Sequence, residues 1–256
     1  MTIEVPLLSP TSRFSDRAEN YMKHRPGYPQ QIIPFLENTL GLQKSARIAD
    51  IGSGTGLFAE PLLKNGYQVI CIEPNEAMRK AGEEKLKQYP LFISRRRSGE
   101  TTGLRNQSID LITVAQAFHW MDVEAAKKEF KRILKTGSYV LLVWNLQKTD
   151  TDFLNNYAEI KHRYQIEERD SHEMDAEKVS RFFGTNQFQK ITFPNTQELN
   201  FDALKGRLLS SSYIPLPGHP SYENMISDLV QLFVRCNKKG FVTMEYETVL
   251  YYGLLH

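Results

Sequence analysis

The sequence predicts an α/β protein built on a doubly wound, mostly parallel sheet of seven strands, with a helical arm ahead of the sheet and a helical insertion after its fifth strand. Three observations lead there. Between Ser45 and Asn145 short apolar runs alternate with amphipathic segments, the pattern of βαβ units whose strands are buried on both faces. A glycine-rich turn, Gly52-Ser53-Gly54-Thr55-Gly56, stands where the first apolar run gives way to a helix. After Asn145 the alternation lapses, and two further strand-like runs appear near the end of the chain.

Taken in order, the expected strands of the core are ARIADI (46–51), QVICIE (68–73), LFIS (91–94), DLITVA (110–115) and SYVLLVW (138–144). The first helix between them runs from about Leu57 to Asn65 and stops at Gly66. A second starts after Asn75, whose side chain suits an N-cap, and ends before Pro90. A third spans Val123 to Lys135, with Val123, Ala126, Phe130 and Leu134 on one face and Gly137 just past its end. Phe153, Tyr157, Ile160 and Tyr164 then mark an amphipathic helix leading into the polar stretch IEERDSHEMDAE (166–177), read as a lid. FQKITF (188–193) and FVTMEYETVLYY (241–252) are the last two strands, with helical segments near 201–211 and 222–237 between them. The organisation expected is an arm over 1–40, a ligand-binding core over 41–145, a helical insertion over 146–186, and closing strands and helices over 187–256.

Composition excludes several classes. The chain has 256 residues, of which 41% are hydrophobic, enough for a sizeable core. Thirty-two Lys and Arg stand against thirty Asp and Glu, so the net charge of +2 lacks the basic surplus of a nucleic-acid binder. Cys71 and Cys236 are the two cysteines, and Cys71 lies in the apolar run VICI, so no disulfide framework is implied and a reducing compartment fits. MTIEVPLLSP has no basic leader and no apolar stretch reaches membrane-span length, so the expected location is the cytoplasm, without a membrane partner.

Chemistry is carried first by RIADIGSGTG (47–56), a buried-type strand running into three glycines and a helix. Such a turn lets a ligand approach the backbone closely and meet the free N–H groups of a helix start. Glu73 closes the next strand, placing a carboxylate that can accept hydrogen bonds from both hydroxyls of a ribose. Together they point to an adenosine-containing ligand at the switch point of an open sheet. The fingerprint for a nicotinamide dinucleotide is imperfect, because Leu57 occupies the place of its third glycine.

ADIGSGTG with Asp50 ahead of Gly52, then CIEPN and IDLITVAQAFHW, resembles the class I methyltransferases that use S-adenosylmethionine (SAM), with their Rossmann-like fold. FSDRAENYMKHRPGYP (14–29), AQAFHW, SSYIP (211–215) and VLYYGLL (249–255) are similar to the branch that contains trans-aconitate methyltransferase-like proteins. The resemblance implies SAM as cofactor. It places Asp50, Gly52, Ser53, Gly54 and Gly56 along the methionine part of the donor, Glu73 with Pro74 at the ribose, and Gly99 and Glu100 at the adenine. It also makes the arm with Phe14, Tyr21, Arg25 and Tyr28 a cover over the donor, Tyr21 and Arg25 contacting it. The chain departs from many relatives near its third strand, where Arg95, Arg96 and Arg97 stand in place of an acid, and this basic run is read as a solvated strand end.

Gln116 and His119, just after the fourth strand, are the candidate catalytic pair, Gln116 also touching the donor. His119 is either a base or hydrogen-bond donor to the acceptor, or a residue that orients the loop. Phe118 is either a packing residue or part of the site, and Trp120 is read as a packing residue. The six histidines are scattered without metal-ligand spacing, so a metal-free reaction is expected. The expected acceptor is a small, anionic molecule with a carboxylate, and the chain acts as a monomer or homodimer. Two other classes stay open: a nicotinamide oxidoreductase and a non-catalytic SAM-binding module.

Overall fold

The computed structural model describes residues 22–166, 176–184 and 187–255. Its seven strands are β1 (Arg47–Ile51), β2 (Gln68–Ile72), β3 (Phe92–Arg95), β4 (Ile109–Ala115), β5 (Leu134–Gln147), β6 (Gln189–Leu199) and β7 (Val242–Leu254). They form one sheet in the order β3-β2-β1-β4-β5-β7-β6. β1 to β5 pair in parallel, and β7 runs antiparallel to both β5 and β6. The doubly wound, mostly parallel sheet read from the hydrophobic runs is the sheet observed.

The helices are α1 (Ile32–Asn38), α2 (Ala59–Lys64), α3 (Glu76–Leu86), α4 (Val123–Ile133), α5 (Asp152–Arg163), α6 (Ala176–Phe183), α7 (Phe201–Leu209) and α8 (Tyr222–Cys236). Alternate residues of the central strands serve two cores. Ala49, Ile51, Ile70, Ile72, Ile112 and Val114 pack with Ala126, Phe130 and Ile133 of α4 and Val179, Phe182 and Phe183 of α6. Ile48, Val69, Leu111, Leu141 and Val143 face the other way, toward α1 and α2. A third cluster joins α5, α7 and α8 to Leu199, Val242, Met244 and Tyr246 at the ends of the two outer strands.

Local signals account for the boundaries. Asn75, Asp122, Thr151 and Asn200 each accept a hydrogen bond from a backbone N–H three residues on, capping α3, α4, α5 and α7. Two expected boundaries are corrected. The helix expected from Leu57 begins at Ala59, because the glycine turn continues until Phe58. The helix expected to reach Lys135 ends at Ile133, and β5 starts at Leu134 rather than 138. The pairing slips between Ile109 and Leu111, so Leu134 pairs with Ile109 and Tyr139 with Leu111. Gly137, at φ 77°, sits in that irregularity instead of stopping a helix.

Candidate functional site

The order of strands reverses between β1 and β4, and the crevice outside the carboxyl ends of strands at such a point is where open α/β sheets bind ligands. A cavity of about 290 Å³ lies there. Its floor is the glycine turn after β1, and its walls are Glu73, Pro74 and Asn75 after β2, Ser98 to Glu100 after β3, and Ala115 to Ala117 after β4. Tyr28 closes it from the N-terminal segment, its ring set edge-on to Phe58 at 4.8 Å.

The glycine turn is closely packed, and at Gly52 there is no room for a side chain. Gly52 has φ 66°, and a Cβ there would fall 2.4 Å from the Cβ of Ala117. Its N–H, with that of Ser53, donates to the Ile72 carbonyl. Gly54, at φ 55°, donates its N–H to Glu73 Oε2 at 2.9 Å, while Asn75 N–H donates to Glu73 Oε1 at 2.8 Å. The Glu73 carboxylate therefore ties the turn after β1 to the turn after β2 and still lines the cavity. Burial raises its pKa, and the two backbone N–H bonds oppose the rise.

Asp50 is the other acid of the cavity, fully buried on β1. Thr113, directly opposite on β4, donates its hydroxyl to Oδ1 at 2.7 Å. Oδ2 has no hydrogen-bond partner among the described residues. Burial pushes the Asp50 carboxyl up to about 7; the Thr113 bond opposes that, and the nearby charge of Glu73 adds to it. Two crowded acids with an orphaned acceptor fit a ligand that brings a cation and hydrogen-bond donors.

Of the residues singled out in the sequence, Asp50, Gly52, Ser53, Gly54, Glu73, Pro74, Gly99, Glu100 and Gln116 come together on this cavity. Gln116 adopts φ 56°, unusual for a residue with a side chain, and its Nε2 donates to the Asn145 carbonyl at 3.3 Å. Glu100 accepts from Asp122 N–H at 3.2 Å. Gly56 is not on the cavity: it lies against α3, where a Cβ would meet Leu86 Cδ1 at 2.4 Å. Arg25 is not there either, for its Nη2 donates to the Ser210 carbonyl at 3.0 Å. Tyr21 and Phe14 lie outside the described residues, as does most of the polar stretch expected to be a lid.

The loop after β4 corrects one reading. Phe118 packs against Trp144 and Phe182, but Trp120, read as a packing residue, lines the cavity. His119 does not line it; its ring lies 4.9 Å from that of Trp120, and its carbonyl accepts from Lys178 Nζ at 3.0 Å. Sequence reasoning also missed Met78 and Met121, whose side chains line the cavity. Met78 had a signal, being the residue whose N–H is capped by Asn75. The basic run is exposed, Arg96 lying 3.8 Å from Glu76. Among the described residues no three His, Cys, Asp or Glu could jointly hold a metal ion, and no helix is long and apolar enough to cross a membrane.

Residues 49–142 match the family described as a methyltransferase domain. The matched span contains every cavity residue named above except Tyr28. An uncharacterized methyltransferase-like protein of Schizosaccharomyces pombe is 26% identical over 205 residues, 78% of each chain. An uncharacterized methyltransferase of Mycobacterium bovis is 30% identical over 148 residues, 57% of this chain and 58% of its own length. Among solved structures, a methyltransferase candidate of Anaeromyxobacter dehalogenans superposes with a TM-score of 0.63 at 19% identity, covering 91% of this chain and 99% of that one. Phosphoethanolamine N-methyltransferase 2 of Haemonchus contortus, solved with SAM, superposes at 0.54 and 14% identity, covering 96% and 57%. At those identities the structural likeness speaks for the fold. What the matched span and the relatives have in common is a methyltransferase domain.

Proposed function

We propose that this chain transfers the methyl group of SAM to a small metabolite that bears a carboxylate. The observation that carries the donor is the pair Asp50 and Glu73, two buried acids on one cavity, one with an orphaned oxygen. SAM carries an ammonium and a sulfonium, and its ribose offers two hydroxyl donors, the complement of that pair. Leu57, in place of the third glycine of a dinucleotide turn, and the methyltransferase-domain match both speak against a nicotinamide.

When bound, the donor supplies an electrophilic methyl group on a good leaving group, so the protein's work is positioning and exclusion of water. In this reading Glu73 holds the ribose, with Pro74 beside it. Asp50 and the turn Gly52-Ser53-Gly54 hold the methionine end, and Gly99 with Glu100 borders the adenine. Tyr28 and Trp120 shield the cavity with aromatic faces suited to a cation. Gln116, at the strained end of β4, orients donor and acceptor, and His119 orders the loop that carries Trp120. Tyr21 belongs with Tyr28 in the segment resembling the trans-aconitate methyltransferase branch, the resemblance that also favours a carboxylate acceptor. A carboxylate is ionised at neutral pH and needs no general base.

The test is calorimetry of the full chain with S-adenosylhomocysteine (SAH), the product of the donor, then incubation with SAM and panels of carboxylates, phenols and amines read by product mass. Saturable SAH binding and a methyl ester product are expected. Absence of SAH binding sinks the donor assignment, and products confined to phenols or amines sink the acceptor.

A further inference from the structure

A second polar cluster lies outside the donor cavity, in the apolar cluster of α5, α7 and α8. Arg207 on α7 is 6% exposed. Among the described residues its guanidinium donates hydrogen bonds only to neutral oxygens, Nε to the Tyr246 hydroxyl at 3.3 Å and Nη1 to Ser210 Oγ at 3.4 Å, both long bonds, and it lies 6.0 Å from the centre of the Tyr246 ring. Among the described residues no carboxylate pairs with it. The Tyr157 hydroxyl on α5, buried within the electrostatic reach of Arg207 and Arg25, has no hydrogen-bond partner there, and neither has Gln147 Nε2. Burial raises the Tyr157 phenol above its ordinary range, so it stays a donor. A guanidinium held away from water without a counter-charge is costly, and a set of unused donors around it asks for an anion.

Two short paths join this cluster to the donor cavity. Tyr28 lines the cavity, and Arg25, three residues earlier, donates to Ser210, next to Arg207; that span is at most ~10 Å of chain. Gln116 on the cavity donates to the Asn145 carbonyl, and Gln147, two residues along β5 or ~7 Å away, pairs across the sheet with Tyr246, whose hydroxyl receives Arg207. Both paths set Arg207 near the donor cavity, and a carboxylate whose oxygens are engaged by a guanidinium is a weakened nucleophile, so the group anchored there is not the one methylated.

Resting on the methyltransferase reading, we infer that Arg207, Tyr157 and Tyr246 form the anchoring subsite of the acceptor, receiving a carboxylate that is not itself methylated. A single guanidinium balances one carboxylate charge and offers it a planar pair of donors.

The experiment is calorimetry of the full chain, with and without SAH, against succinate, glutarate, tricarballylate and inorganic phosphate, repeated on R207M and Y157F. The wild type is expected to bind at least one of the carboxylates. R207M should bind it about 10- to 100-fold more weakly and Y157F several-fold more weakly, with SAH affinity unchanged in both. Should R207M lose SAH binding through misfolding, Y157F, which removes one oxygen, decides alone. Wild-type binding of no carboxylate, binding of phosphate only, or carboxylate affinity unchanged in the variants that retain SAH binding overturns the subsite. Failure of the wild type to bind SAH while carboxylates still bind in an Arg207-dependent way overturns the donor reading instead.

Discussion

Replacing Asp50 by asparagine should make the free protein more stable at alkaline pH and less able to bind its donor. The folded chain holds the Asp50 carboxyl at about 7 against an ordinary value of 3.8. The native state therefore keeps a proton between those two values that the unfolded state has released, and stability falls as pH rises through the window. At ~1.4 kcal/mol per pH unit the full loss above pH 7 is about 4 kcal/mol, of which roughly 3 kcal/mol falls between pH 5 and pH 8. The amide of D50N keeps an acceptor for the Thr113 hydroxyl and carries no charge, but its buried NH₂ lacks a partner, which costs about 1–3 kcal/mol. The net expectation for D50N at pH 8 is a gain of about 1–3 kcal/mol, shrinking or reversing at pH 5. Urea denaturation of both proteins without ligand at the two pH values measures it. Calorimetry at pH 8 should show SAH bound about 10- to 100-fold more weakly by D50N, since a charge-assisted contact is lost. A stability gap between the two proteins that does not change with pH, or equal SAH affinity, would refute the reasoning.

Glu73→Ala should weaken SAH by about 10- to 100-fold in calorimetry and also lower the melting temperature, because Gly54 and Asn75 lose the acceptor that joins their two turns. Gly206→Ala places a Cβ 2.2 Å from the His24 ring, so segment 24–28 should lift, the His24 and Gly27 carbonyls should lose the bonds they accept from the Gln197, Asn145 and Asn195 side chains, and SAH should bind more weakly in calorimetry through the loss of Tyr28; unchanged SAH affinity would show that the ring simply turns aside. His119→Ala should reduce kcat less than about tenfold on a carboxylate acceptor, whereas a loss on the order of 10²–10⁴ in a steady-state assay would mean that it serves as a base.

Much of this protein can be read from short stretches of chain, because the physics there is local. Buried parallel strands need unbroken apolar runs, so β1, β2 and β4 were legible to within a residue or so. Asn75 ahead of a helical pattern is a cap wherever the chain goes, and three closely spaced glycines after a strand declare a turn that must tolerate positive φ. The acid at the end of β2 follows from the same logic, since consecutive parallel strands deliver their carboxyl ends to one edge. What pairing across the sheet decides was not legible. The stranded oxygen of Asp50 depends on Thr113, 63 residues away, taking only its twin. A single tight turn after β4 advances each side chain by about a third of a circle, so Trp120 meets the cavity while its neighbour His119 does not, a rotation no pattern of residue types encodes. Arg25 reads in the sequence as an arm cation, and Arg207 carries no signal beyond its place in a helical segment. Only the docking of α7 beside β7, and of segment 24–28 against the end of α7 and β6, makes a buried cation of one and brings the other beside it.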